Sequence, residues 1–212
     1  MKNVVLCVSC ATLLSLASAA ESRIIGPYAS VHGGIATLNN AEATGYGTTI
    51  EFDTDPGLAL TGALGYDFGA NFRMETELGY QQNDIDKINW KGKGLSKKAS
   101  GDISSTSGLL NGYYDFTNIS SVTPFISAGI GLAKVELGDV AIGGNNLPGE
   151  ADGTAMAYQV GGGFSYELNY NLALDLKYRY LAAVDLELDD NVDTMEFDYS
   201  SHNIYGGIRA SF

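Results

Sequence analysis

The chain closes on His202-Asn203-Ile204-Tyr205-Gly206-Gly207-Ile208-Arg209-Ala210-Ser211-Phe212. Taken two at a time, His202, Ile204, Gly206, Ile208, Ala210 and Phe212 share one face, and Asn203, Tyr205, Gly207, Arg209 and Ser211 share the other. Such alternation belongs to a β-strand, whose successive side chains point to opposite sides. One face suits lipid and the other suits a wet interior, so this strand divides two solvents.

The opposite end carries Lys2, an apolar run from Val4 to Ala17 and the small residues Ala17-Ser18-Ala19-Ala20. That layout is a secretory signal peptide over residues 1–20, cleaved after Ala19 or Ala20, with one domain over 21–212. The run is too short to cross a bilayer as a helix, which takes about 20 residues. A lipoprotein anchor at Cys10 is disfavoured by Cys7-Val8-Ser9 ahead of it, which lacks the expected lead-in. Cys7 and Cys10 both leave with the leader, so disulfides and thiolate metal sites drop out of the exported chain. The full chain has 12 basic and 25 acidic residues, and its formal net charge of −13 becomes −14 when Lys2 is removed. Such a charge disfavours nucleic acid as a partner. Mean hydropathy near zero fits strands that share their residues between lipid and lumen, and a helical membrane protein would be far more apolar.

The alternation recurs upstream. Leu58, Leu60, Gly62, Leu64, Tyr66 and Phe68 share a face before the turn Gly69-Ala70-Asn71. Phe72, Met74, Thr76, Leu78 and Tyr80 then oppose Arg73, Glu75, Glu77 and Gln81. A second hairpin turns near 117–123 and a third at 169–171. With a first strand from about Tyr28 to Leu38 and a last from about Ser200, the count is eight, which returns both termini to the periplasm. Short turns alternate with long segments at 39–56, 82–104, 138–153 and 182–199, which are expected as exposed loops. Tyr66, Phe68, Phe72, Tyr114, Phe116, Phe164, Tyr166 and Phe212 form one aromatic belt, and Tyr80, Tyr158, Tyr178 and Tyr180 a second. A soluble β-sandwich or lipocalin also alternates, but it turns its apolar face inward and needs no paired belts. The fold class expected is all-β: an eight-stranded antiparallel up-and-down transmembrane barrel.

The stretch Gly65-Tyr66-Asp67-Phe68-Gly69-Ala70-Asn71-Phe72-Arg73-Met74-Glu75, the Gly161-Gly162-Gly163-Phe164-Ser165-Tyr166 segment, Tyr178-Arg179-Tyr180 and the terminal strand resemble the small outer-membrane β-barrel family. That family includes the OmpA transmembrane domain, OmpX, the opacity proteins and porin-family surface antigens. The resemblance spans the exported chain and implies a place in the bacterial outer membrane. It implies that Phe212 is the terminal aromatic read by the barrel assembly machinery. Function is only weakly implied, because the family's loops serve adhesion, immune evasion, narrow channels and scaffolding.

Three groups of residues are candidates for function. Facing inward are the basic Arg73, Lys177, Arg179 and Arg209 and the acidic Asp67, Glu75, Glu77, Asp115, Glu167 and Asp175; an eight-stranded lumen has room for little beyond such side chains. They form either a plug of mutual ion pairs or the lining of a gated ion path. The segment from Gln82 to Asp102 holds Lys87, Trp90, Lys91, Lys93, Lys97 and Lys98, a basic cluster suited to lipopolysaccharide phosphates, a glycosaminoglycan or an acidic protein. The segment 182–199 holds Asp185, Glu187, Asp189, Asp190, Asp193, Glu196 and Asp198. Its spacing lacks the glycine and closing glutamate of a calcium loop, and attraction to the lysines would close the barrel mouth.

Some relatives of this size are lipid A deacylases or palmitoyltransferases, and Ser200 and His202 share a face with Asp198. The order departs from the deacylase pattern, and an interfacial histidine is more commonly an anchor. His32 and His202 lie too far apart in sequence to suggest a metal site. The expectation is therefore a surface protein for adhesion, host contact or membrane structure, with a small porin-like diffusion channel as the alternative and a lipid A-modifying enzyme third. No enzyme activity and no cofactor are expected. The partners expected are outer-membrane lipid and lipopolysaccharide, the assembly machinery, and a host surface or matrix protein, with the chain a monomer.

Overall fold

A computed structural model describes residues 24–39, 41–45, 48–90, 95–116, 121–142, 145–146, 151–184, 186–189 and 194–212. The expected signal peptide, Lys91, Lys93, Asp185, Asp190 and Asp193 lie outside the described residues. Among the described residues the chain is β-structure throughout, in thirteen strands. They are β1 (Gly26–Leu38), β2 (Ala41–Gly45), β3 (Thr48–Thr54), β4 (Gly57–Asp67), β5 (Phe72–Trp90), β6 (Leu95–Asp115) and β7 (Val122–Ile142), followed by β8 (Asn145–Asn146), β9 (Ala151–Glu167), β10 (Leu172–Val184), β11 (Leu186–Asp189), β12 (Thr194–Asp198) and β13 (Ser200–Ser211).

Eight of them, in the order β1-β4-β5-β6-β7-β9-β10-β13, close an antiparallel ring, with β13 returning to β1 through pairs such as Val31 with Ile208. The eight-stranded barrel read from the alternation is thus present. Following the register from Tyr28 through Gly65, Glu75, Asn111, Gly129, Gln159, Leu181 and Ser201 leads back to β1 at Leu38, ten residues further on. That stagger over eight strands tilts them by about 40° and leaves a lumen that side chains fill. Close packing demands glycine at several points, two of them against rings of β1. A Cβ at Gly65 would run into the Tyr28 ring, and one at Gly207 into the His32 imidazole.

The outward face of the ring is apolar. Leu64 is 72% exposed, Leu78 69% and Ile130 63%, a surface that water would not tolerate and lipid requires. This excludes the soluble sandwich. The two aromatic belts are in place: Tyr66, Phe68 and Phe72 stack in series with centroids 4.9 and 5.9 Å apart, and Tyr114 meets Phe116 at 5.2 Å. On the other rim Tyr158, Tyr180, His202 and Tyr178 form a continuous aromatic panel. Among the described residues no helix is long and apolar enough to cross a membrane; the crossing is made by strands.

The segments expected as long loops need correction, because most of their described residues continue the barrel wall. The β2–β3 hairpin stands above β1 and β4, and β11–β12 stands above β10 and β13. They join the long strands through β3–β5, β2–β12 and the single pair Asp189 with Asp152 between β11 and β9. The result is a second closed circuit, β9-β11-β12-β2-β3-β5-β6-β7. Here the polarity turns over: Phe52, Ile85, Ile88, Ile103, Val135, Leu186 and Phe197 face inward as a buried cluster, while Asp53, Lys87, Lys98 and Asp198 face out. In β5 the phase changes at a β-bulge, where the register shifts between Asp84 and Lys87 and both Ile85 and Ile88 face inward; in β6 the register with β7 shifts between Ser100 and Asp102, while Ala99 and Ile103 keep the inward parity of Ser105 and Ser107. A bulge adds one unpaired residue and so re-aims every side chain beyond it.

Candidate functional site

The inward face of the lower ring carries charge. Four cations, Arg73, Lys177, Arg179 and Arg209, stand among Asp67, Glu75, Glu77, Asp115 and Asp175, all buried. Alternation delivers them: each takes an inward parity on β4, β5, β6, β10 or β13, opposite a lipid-facing neighbour. Arg73 makes a fork to Asp115, with Nε and Nη2 each donating across 2.8 Å. Its guanidinium lies near the rings of Tyr28, Tyr113 and Phe125, at 4.6 Å from the Tyr113 centroid. Glu77 accepts from Lys177 Nζ at 2.9 Å and Arg179 Nη1 at 2.6 Å, and both cations lie over the Tyr205 ring.

Glu75 is held differently. The hydroxyls of Tyr28 and Tyr113 donate to it at 3.0 and 2.6 Å, so a buried carboxylate is met here by neutral donors. Asp175 accepts from Ser165 at 2.6 Å and from Arg209 Nε at 3.4 Å, with His32 Nε2 at 3.5 Å. Asp67 accepts the Gly69 amide at 2.9 Å and shapes the turn, where Gly69, Ala70 and Asn71 all take positive φ. Glu167 sits half-buried at the periplasmic end of β9, at the rim rather than within the buried charged group. The charges thus meet one another within a narrow lumen, where leaving any one unpaired is costly.

The second candidate is the extracellular rim. Lys87 and Lys98 are direct register partners on β5 and β6, and both are exposed. Lys87 Nζ lies 2.8 Å from Asp86 Oδ2. This hydrogen bond holds the lysine above its ordinary pKa and the carboxyl below its own. Lys97 is exposed beside them, in register with inward-facing Ile88. Trp90 closes the described part of β5, its backbone paired with Ile50 and Leu95. A polar pocket of about 360 Å³ opens alongside, walled by Leu38, Asn39, the stretch Glu51–Asp55, Asp86 and Lys87.

The expected attraction between the acidic 182–199 segment and the lysines is corrected by the wall itself. The β2–β3 hairpin stands between them, bonded to β12 on one side and β5 on the other. Lys87 therefore has Asp53 as its cross-strand neighbour, while Asp198, Glu42 and Glu51 fall in one cross-strand row. The catalytic candidate, Ser200 with His202, is not assembled as a nucleophile and base. Ser200 donates to the Asn39 carbonyl at 3.3 Å, and the His202 Nδ1 pairs with the Tyr178 hydroxyl at 2.7 Å. Among the described residues no group of three or more histidines and carboxylates is placed to hold a metal ion.

A closed ring with charge inside and lipid-facing aliphatics between two aromatic belts is the architecture of an outer-membrane barrel. Residues 5–210 match the sequence family described as outer membrane protein beta-barrel domain. The chain belongs to that outer-membrane β-barrel family. Over 141 residues it is 33% identical to outer membrane protein PagN of Salmonella typhimurium, a match covering 61% of this chain and 59% of PagN. The chain thus spans less than two thirds of that relative's length. Two solved structures share the fold. Neisserial surface protein A superposes with a TM-score of 0.57 at 21% identity, over 88% of this chain and 97% of the other. OprG of Pseudomonas aeruginosa gives 0.58 at 17%, over 90% and 97%. The protein is accordingly a bacterial outer-membrane protein.

Within this outer-membrane barrel His32 takes an inward position that the sequence leaves open, because Gly33 and Gly34 blur the alternation of β1. It is buried, with Thr61 Oγ1 3.4 Å from its Nδ1. Tyr28, Tyr113 and Tyr205 are absent from the candidate functional residues read from the sequence, although each shares inward parity with the charges it meets. Phe212, expected as an assembly signal, is 70% exposed, and its amide donates to the Pro27 carbonyl at 3.0 Å where the last strand meets the first.

Proposed function

We propose that the protein is a surface-exposed binding protein of the outer membrane, acting in adhesion or host contact through its extracellular rim, and at minimum bracing the membrane. The observation that carries this reading is the apolar cluster inside the upper circuit. A lumen that ends in packed aliphatic and aromatic side chains disfavours the diffusion-channel alternative, because ions do not cross dry constrictions. It also turns the upper strands into a rigid pedestal, and a preordered surface loses less entropy on binding.

On that pedestal the exposed cations Lys87, Lys97 and Lys98 supply the contact, joined in the sequence by Trp90, Lys91 and Lys93. Their chemistry suits phosphate, sulfate or carboxylate groups on a glycan or protein. The reading is non-enzymatic, consistent with the separate commitments of Ser200 and His202.

Cells displaying the protein, compared with cells displaying a variant in which all five lysines are glutamine, test it on surfaces coated with sulfated polysaccharide or matrix protein. Adhesion should fall at least tenfold in the variant and fall with added salt. Equal adhesion at equal surface amounts overturns the lysine assignment.

A further inference from the structure

The lower charges and the upper apolar cluster are separated by a storey of a third kind. Moving outward along β5, Glu77 gives way to Gln81 and Asn83 before Ile85 and Ile88 begin. On β13 and β12, Tyr205 gives way to Asn203 and Ser201 before Tyr199 and Phe197. On β9, Gln159 precedes Ala157 and Ala155, and on β10 Arg179 sits one inward position below Leu181. On β5, β9 and β12–β13 an amide or hydroxyl precedes the hydrocarbon, β10 passes straight from Arg179 to Leu181, and Leu109 reaches down from the apolar cluster among the polar groups.

The side chains of this middle storey are buried and only partly bonded. Asn203 donates to Ser201 at 3.0 Å and Ser201 to Gln81 Oε1 at 3.2 Å. Gln159 donates to Asn111 at 3.1 Å, and Asn83 donates to the carbonyls of Ala36 and Asp55. Gln81 Nε2, Arg179 Nε, Asn83 Oδ1, Gln159 Oε1 and Asn203 Oδ1 have no hydrogen-bond partner among the described residues. Two of these atoms donate and three accept. A cation would ask for acceptors alone and an anion for donors alone, whereas water supplies both. Buried polar groups left over by protein partners are regularly satisfied by ordered water making about three bonds each.

We infer that the middle storey holds a small cluster of ordered water, and that the apolar cluster above it, not the ion-pair network below, is the permeation barrier of the barrel. The ion pairs are hydrated neighbours of that water, and ions and water can share such a layer. The layer that cannot be wetted lies outermost, where Ile103, Val135, Leu186 and Phe197 meet. Closure by dewetting of such a layer needs no moving part. The inference rests on the reading of a surface protein with a closed lumen.

Planar-bilayer conductance of three refolded proteins tests it, each first shown by circular dichroism to hold its β-structure. The wild type and the pair E77Q/K177M should be silent, and the pair I103A/F197A should conduct at least tenfold above wild-type leak. A folded I103A/F197A that stays silent, or an E77Q/K177M that conducts, overturns the barrier assignment while leaving the surface reading intact. A conducting wild type overturns the closed-lumen reading itself. Water is tested without any variant: perdeuterated wild type in nanodiscs should give cross-peaks from long-lived water to the amides of Gln81, Asn83, Gln159 and Asn203. Their absence, with cross-peaks to surface amides seen, overturns the water cluster.

Discussion

The barrel below Gln82 and the barrel above it obey opposite rules. In the lower part Leu78 faces outward and Glu77 inward; in the upper part Lys87 faces outward and Ile88 inward. The backbone ladder hardly notices the change, because β5 and β6 stay paired from Phe72–Tyr114 to Trp90–Leu95 with one bulge between. What differs is the solvent. Hydrocarbon outside makes apolar exteriors stable and forces polarity into the lumen, where every charge must find a partner. Water outside restores the ordinary arrangement, with an apolar core and a charged skin. One sheet therefore serves two solvents, and the bulges mark the boundary.

The sharpest way to break this comparison is to unpair a charge in the lower lumen. Replacing Glu77 by Leu leaves Lys177 and Arg179 without their shared carboxylate, and the barrel should lose about 3–5 kcal/mol, as buried pairs do when one partner is removed. Urea unfolding in lipid vesicles would show it as a large drop in midpoint. A shift under about 1 kcal/mol would mean that water or Tyr205 already shields the cations.

Truncation of the upper core should cost nearly as much but act locally. Phe197→Ala removes a ring that meets Phe52 at 6.2 Å, and such truncations cost about 3 kcal/mol or more. Because the upper strands can open without disturbing the lower ring, the loss should appear as faster proteolysis and hydrogen exchange in β2, β3, β11 and β12. Unchanged exchange rates in β1, β4, β10 and β13 would complete the contrast. If the whole barrel destabilises together, the two halves are one cooperative unit.

The two halves were unequally legible in the sequence. The lower ring follows a strict period of two with aromatics at the strand ends, so its eight staves, its inward charges and both belts could be read from residue order. The upper circuit keeps the strand but shifts the phase along β5. Ile85 and Ile88 stand three apart and both face inward, because a bulge lies between them, and that spacing defeats a count by twos. The missed signal was Glu51-Phe52-Asp53 and Glu196-Phe197-Asp198, two copies of acid, aromatic, acid. Expected as parts of long exposed loops, they belong to strands β3 and β12, where Phe52 and Phe197 face inward and Asp53 and Asp198 face out. The lysine cluster was visible as composition, but the hairpin that separates it from the acids of β12 is a tertiary fact no local pattern contains.

Placing one charge on each half sharpens the difference directly. Leu78→Arg puts a cation on the lipid face and should cost about 2–4 kcal/mol if that position lies near the bilayer midplane. Ser100→Arg, on the outer face of β6 beyond the boundary, should stay within about 0.5 kcal/mol of wild type. The ratio between the two maps where the membrane ends, and equal costs would place Ser100 inside it.

The smallest effect concerns the rim lysines. Lys87 and Lys98 stand directly across a strand pair, an arrangement that disfavours folding when both are charged, while Asp86 offsets it through its bond to Lys87. Lys98→Gln should therefore leave stability unchanged or raise it by a few tenths of a kcal/mol, even as it weakens attachment to an anionic surface. The pH dependence follows from Asp86, whose pKa is depressed in the folded protein. Its support is present above the ordinary carboxylate range and fades as pH falls through the depressed value, so Lys98→Gln should show its largest gain in acid, where the Lys87–Asp86 offset is lost. A gain that is the same at pH 7 and in acid would mean that the two lysines do not sense each other, and that their closeness in register is screened by water at the rim.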